Sequence, residues 1–138
     1  MAKPLYFPSK GGRTVPFVLS NPNPKKVRVG DCVIRAISIA TGKEWESVYA
    51  ALAFYGYELY DMPSSNGVWG KYLSDLGFKQ HVVTETCPDC YTIRDFCRDH
   101  PSGTYVIGTG SHAVAAVNGD YYDTWDSGDE IVSYYWGK

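Results

Sequence analysis

The sequence lacks several features, and each absence closes off a class of reading. No window approaches the ~18 consecutive apolar residues of a membrane-spanning helix. The stretch Met1 to Leu19, MAKPLYFPSKGGRTVPFVL, is broken by Pro and Lys and lacks the apolar run of a signal peptide, so a cytoplasmic protein without a membrane partner is expected. Positive charge is not in excess: 13 Lys and Arg face 15 Asp and Glu, a net charge of −2, so no nucleic-acid partner is expected. There are four Cys, and in a reducing compartment they read as core, metal or catalytic residues rather than a disulfide framework. No internal repeat or charge block is visible.

What remains is a chain of 138 residues, enough for one compact domain that needs neither metal nor disulfide merely to fold. Apolar residues make up 44% and charged residues 20%, a globular balance. The 12 Tyr and 4 Trp suit a ligand cleft or a partner surface, and they suit a small β-rich core equally well.

Residues 1–28 read as an extended arm with one short strand, Thr14 to Leu19, followed by a Pro- and Lys-rich loop. Helical spacing then begins at Cys32, with Val33, Ile34 and Ile37 on one stripe and Gly42 as the stop. A second helix begins near Glu44 and weakens at Gly56; a third spans Val68 to Leu76. Lys79 to Thr84 suits a strand, and Thr92 with Asp95 forms a capping box for a fourth helix. After Pro101 the period changes to two. Thr104 to Gly108, Ala113 to Val117, Tyr121 to Trp125 and Glu130 to Trp136 are strand-like, with Asn118-Gly119 a hairpin turn. Helices first and an antiparallel sheet last predict an α+β fold.

Cys32 follows Gly30-Asp31 at a helix start, where unpaired N–H groups and the positive dipole end favour a thiolate. A packing thiol gains nothing there, whereas a nucleophile gains a lowered pKa and a backbone N–H aimed at an oxyanion. His112 opens a strand that can hold its imidazole against a helix terminus. A two-residue turn pairs Val117 with Asp120, which sets Trp125 opposite His112 and Asp123 diagonally on the same face. Asp123 is therefore favoured as the orienting acid; Asp126, the alternative, points the other way unless the strand bulges.

Gly30-Asp31-Cys32 opening a helix, Ser111-His112-Ala113-Val114 on a strand and then Tyr122-Asp123 together resemble the papain-like cysteine peptidase fold. The likeness is strongest to its compact bacterial and phage branches, the C39-like and NlpC/P60-like proteins. It spans about residues 20–136 and rests on three short motifs. It implies one papain-like domain over residues 1–138, N-terminal helices packed on a C-terminal antiparallel sheet, and a cleft between nucleophile and base. It also implies Cys32 as nucleophile, His112 as general base and acid, and Asp123 as the orienting acid. Papain-like peptidases usually carry a Gln shortly before the Cys. Residues 21–30 contain none, which leaves Asn23 or Asn21 as the oxyanion amide or as turn residues.

Cys87-Pro88-Asp89-Cys90 followed by Cys97 and His100 offers four zinc ligands within fourteen residues, or a reversible disulfide, or plain structure. Trp69 and Trp125 are candidate cleft walls, and Arg35 is placed to pair with Asp31 or Asp126. The expected function is a cysteine-dependent hydrolase of a peptide, isopeptide or other amide bond, acting as a monomer or small homo-oligomer on a peptide or protein substrate. Its rivals are acyl transfer by the same chemistry, a non-catalytic interaction protein on the same fold, and a small zinc-stabilised adaptor.

Overall fold

A computed structural model describes residues 16–84 and 87–138. Their elements run β1 (Phe17–Leu19), α1 (Cys32–Thr41), α2 (Trp45–Leu59), α3 (Asn66–Asp75), β2 (Lys79–Val82), α4 (Ile93–Asp99), β3 (Thr104–Gly108), β4 (Ala113–Val117), β5 (Asp120–Asp123) and β6 (Tyr134–Gly137). The helices pack against a mixed sheet of order β1-β5-β4-β3-β6-β2, so the fold is α+β. The expected antiparallel sheet forms its centre. The arm adds β1 to one edge, parallel to β5, which makes the sheet mixed rather than wholly antiparallel. Residues 1–15, including the first part of the expected strand from Thr14, lie outside the described residues.

Alternation along β3 and β4 supplies two cores. Val106, Ala113 and Ala115 pack with Ile37, Leu52 and Leu73 from α1, α2 and α3. Their sequence neighbours Ile107, Val114 and Ala116 pack with Ile93 and Phe96 of α4. A sheet covered on both faces has no solvent side to serve, which is why β4 reads Ala-Val-Ala-Ala-Val without a polar residue. Alanine at 113 and 115 leaves room for α1 to lie directly over β4, and this closeness brings the start of α1 to the start of β4.

Local signals operate as the sequence predicts in three places. Gly42 takes a left-handed conformation (φ 75°) and closes α1 by donating its N–H to Ser38. Thr92 and Asp95 form the reciprocal capping box of α4. Asn118 and Gly119, both at positive φ, make the two-residue turn that pairs Val117 with Asp120.

The third helix runs Asn66–Asp75 rather than Val68 to Leu76, and β2 ends at Val82 rather than Thr84. Three further boundaries differ from the sequence expectation for reasons the contacts show. Gly56 does not weaken the end of α2; the helix continues to Leu59, and the chain folds back so that the Asp61 N–H meets the Gly56 carbonyl at 2.9 Å. A Cβ at position 56 would stand 2.7 Å from the Asp61 carbonyl oxygen, so glycine is needed for the close return. The strand from residue 121 stops at Asp123 because that side chain accepts the Thr124 N–H at 2.8 Å and turns the chain. The last strand begins at Tyr134, since Glu130 and Val132 bond to the segment around Tyr91 and Ile93 instead. No helix among the described residues is long and apolar enough to cross a membrane.

Candidate active site

Cys32 is the first residue of α1, and the Asp31 side chain before it does not cap the helix. The first-turn N–H groups of any α-helix lack intrahelical acceptors, and Cys32 stands at that end of α1. His112 lies one residue before β4, where the Thr109 N–H and hydroxyl donate to its carbonyl at 2.9 and 3.3 Å. Asp123 ends β5. The register that sets Ala115 against Tyr122 carries Asp123 Oδ2 to 2.6 Å from His112 Nε2. The Cys32 thiol is hydrogen-bonded to His112 and to the backbone N–H of Ala113. With Nε2 taken by Asp123, Nδ1 is the nitrogen left for Cys32.

The charges follow from these contacts. Burial alone would push the Cys32 thiol up, but the His112 and Ala113 hydrogen bonds, with the charges of His112 and Arg35, bring it below its ordinary value. Burial would likewise lower His112, yet the bonds and charges of Asp123 and Cys32 raise it to about 9. Burial would raise Asp123, and it is outweighed by hydrogen bonds from His112 and Ser127, which hold the carboxyl below the usual range. All three shifts favour a thiolate beside an imidazolium.

The rest of the polar cluster secures this geometry. Arg35 is buried between two carboxylates, paired with Asp31 one turn before it and 3.4 Å from Asp123 Oδ1. It does not meet Asp126. That residue, the alternative third member, lies past the end of β5 and instead accepts hydrogen bonds from the Tyr121 hydroxyl and Arg94. Asp31 also accepts from Trp45 Nε1 at 3.0 Å. Ser127 donates to Asp123 Oδ2 at 2.6 Å. Nothing in the spacing marks Ser127, because the turn that returns it to Asp123 exists only in three dimensions.

Cys32 and His112, flanked by Gly30 and Ser111, form a ridge shared by two hollows. The first, about 400 Å³, is walled by Tyr49, Leu52, Pro63, Trp69 and Tyr134. The second, about 340 Å³, is walled by Asn21, Val27, Arg28, Thr124 and Trp125. Trp69 thus lines the cleft, although it is 2% exposed and its indole N–H is held by Asn66 at 3.0 Å. Trp125 is 45% exposed, and its ring lies over the His112 ring at 5.2 Å. Tyr134, which the sequence reading did not single out, stands close enough for the Cys32 charge to help raise its hydroxyl above the ordinary value, after burial.

Asn23 is drawn elsewhere. It is buried, its Nδ2 donates to Asp31 at 3.3 Å, and its Oδ1 accepts the Lys25 N–H at 2.9 Å. It anchors the loop before α1 and is absent from the walls of both hollows, whereas Asn21 lines the second.

The sulfurs proposed for zinc are separated in the structure. Cys87 and Cys90 bond to each other, the reversible-disulfide alternative. Cys97 is buried in the α4 core with Ile93 and Phe96. His100 stacks on Phe96 and donates Nδ1–H to its carbonyl at 2.8 Å. Among the described residues no group of three or more His, Cys, Asp or Glu is arranged to hold a metal. His81, on the exposed edge strand β2, stacks on Tyr135. Comparison with known proteins returns no matching family model, no matching curated protein and no matching solved structure.

Proposed function

We propose that this chain is a cysteine-dependent hydrolase of the papain-like kind, cleaving a peptide, isopeptide or other amide bond through a thioester acyl-enzyme. One observation carries the reading: the ordered chain Cys32–His112–Asp123, with Asp123 2.6 Å from Nε2, set in the wall of an open cleft. A nucleophile, a base and an orienting acid in hydrogen-bond sequence is the arrangement acyl transfer needs.

The Cys32 thiolate attacks the carbonyl carbon, forming the C–S bond and placing the carbonyl electron pair on oxygen. The Cys32 backbone N–H, at the positive end of α1, faces that oxyanion. On collapse the C–N bond breaks, and the His112 imidazolium gives its proton to the departing amine. Water then adds to the thioester while His112 takes its proton. The carboxylic acid leaves and Cys32 is restored. Asp123 stays ionised throughout and keeps the ring turned toward Cys32.

The test is alkylation by iodoacetamide at pH 6, with sites assigned by mass spectrometry. Rapid modification of Cys32, slowed strongly by His112→Ala, is the expected result. A Cys32 no faster than a small-molecule thiol would leave a non-catalytic interaction protein as the better account.

A further inference from the structure

The two hollows that meet at Cys32 differ in charge. Tyr49, Leu52, Pro63, Trp69 and Tyr134 give the first an apolar and aromatic side, and its neutral polar residues are Ser64, Asn66, Thr109 and Ser111. Its one carboxylate, Asp31, is tied to Arg35, Asn23 and Trp45. The second has no Asp or Glu in its walls and adds Arg28 and Arg35 to the His112 that both hollows share. Arg35 is spent on two buried carboxylates and His112 on Asp123. Arg28 is different: it is exposed, and no ion pair or hydrogen bond engages it among the described residues. A chain of net charge −2 therefore presents an unneutralised cation beside its candidate nucleophile.

The loop that carries Arg28 is built rather than loose. Asn23 anchors it to Asp31, the Lys26 N–H closes a turn onto the Asn23 carbonyl at 2.9 Å, and Lys26 adopts positive φ. Lys26 Nζ donates to the Asn21 carbonyl at 2.6 Å, so that lysine is fastened to the loop itself. Arg28 follows two residues later, on the rim of the hollow. A guanidinium at a cleft rim, on a loop whose backbone is fixed, matches a carboxylate in charge and in its planar, forked geometry.

We propose that Arg28 is a specificity residue. It selects substrates that place a carboxylate in the second hollow while an apolar group fills the first. This rests on the hydrolase reading for Cys32 but makes a separate claim about the substrate.

The experiment compares two alkylating agents that differ in charge. Both react by the same step: the thiolate forms an S–C bond, the C–I bond breaks and iodide leaves. Iodoacetate carries a carboxylate and iodoacetamide does not, so the ratio of their rates at Cys32 reports the field in the cleft. At low salt Arg28→Gln should lower that ratio by roughly two- to fivefold, the range of an exposed charge pair, and Arg28→Glu by more. The difference should shrink toward one near 1 M salt, where the screening length falls to about 3 Å. Lys25→Gln removes an exposed charge outside the hollow and should move the ratio less.

A ratio unchanged in Arg28→Glu, or lowered equally by Lys25→Gln, would overturn the assignment even with Cys32 highly reactive. A Cys32 unreactive to both agents would instead bring down the hydrolase reading beneath it. Blocked tripeptides identify the source of the carboxylate by slowing iodoacetamide labelling. Acetyl-Phe-Gly-Glu-amide carries it on a side chain, acetyl-Phe-Gly-Gly on the chain end, and acetyl-Phe-Gly-Gly-amide not at all. At least one charged peptide should protect Cys32 better than the neutral one, and Arg28→Glu should erase that advantage. Equal protection by all three counts against the proposal.

Discussion

Arg35 Nη2 lies 3.4 Å from Asp123 Oδ1, joining helix α1 to strand β5 across 88 residues of sequence. The same guanidinium pairs with Asp31, so one buried cation is shared by two buried carboxylates. Asp123 in turn holds His112, and His112 holds Cys32. The turn before α1 and the end of the hairpin are thereby fixed to each other on either side of the thiol.

Arg35→Met should therefore be severely destabilising. It leaves Asp31, 4% exposed, without a cation and Asp123, 2% exposed, with His112 alone, a loss of about 3–5 kcal/mol. Urea denaturation measures this, and Arg35→Lys should recover part of it, since charge returns without the two-sided fork. A Met variant as stable as the parent would show that the network contributes nothing.

Asp123→Asn keeps the shape and removes the charge. The His112 imidazole, at about 9 in the parent, should fall by roughly 1–3 units. Titration of the ring by NMR reads the change directly. Iodoacetamide labelling of Cys32 near pH 6 should slow in parallel, because a neutral imidazole no longer favours the thiolate.

The sign of the stability profile follows from the same groups. His112 is raised from 6.5 to about 9, so its contribution is complete below about 6.5 and lost as pH climbs through 9. Asp123 is lowered from 3.8, so its contribution is complete above that value and lost as pH falls below it. Chemical denaturation across pH should show greatest stability between the two limbs, and His112→Ala should flatten the alkaline one.

Thiol counting separates the four cysteines. In the native protein without reductant, iodoacetamide should modify Cys32 alone, because Cys97 is 3% exposed and Cys87 is joined to Cys90. Unfolding should add Cys97, and reductant should then add the remaining pair. Native labelling of Cys97 at the rate of Cys32 would contradict its place in the core.

Gly108 tests the cleft wall. A Cβ there would stand 2.2 Å from the Tyr134 ring, so Gly108→Ala must displace a residue that lines the first hollow. The expected cost is about 1–3 kcal/mol, with a changed rate of Cys32 labelling by bulky maleimides. Unaltered stability would place Tyr134 elsewhere.

Much of this was legible from residues alone, for physical reasons that are local. Gly42, the Thr92–Asp95 box and the Asn118-Gly119 turn each act within a few residues, so their effect is written in the spacing. The turn fixes the register, and the register brings Asp123 rather than Asp126 to His112. Cys32 announces itself because a thiol at a helix start gains little from packing. Asn23 stayed open in the sequence because an amide shortly before a helix-start thiol suits either an oxyanion donor or a turn residue, and its bonds to Asp31 and Lys25 place it in the turn.

By itself the sequence determined the helices, the hairpin register and the grouping of Cys32, His112 and Asp123, because each depends on periodicity or on a turn of fixed length. Only the tertiary structure decided that Arg35 bridges Asp31 and Asp123, that Ser127 returns to Asp123, and that Cys97 is buried while Cys87 closes on Cys90. It also decided that the hollow carrying Arg28 and Arg35 lies apart from the one walled by Trp69 and Tyr134. The Ser127 and Cys90 contacts are local, but a spacing of three or four residues does not by itself make two side chains meet. The Arg35–Asp123 pair, the burial of Cys97 and the two hollows depend on packing between distant segments, which has no period for a sequence to display.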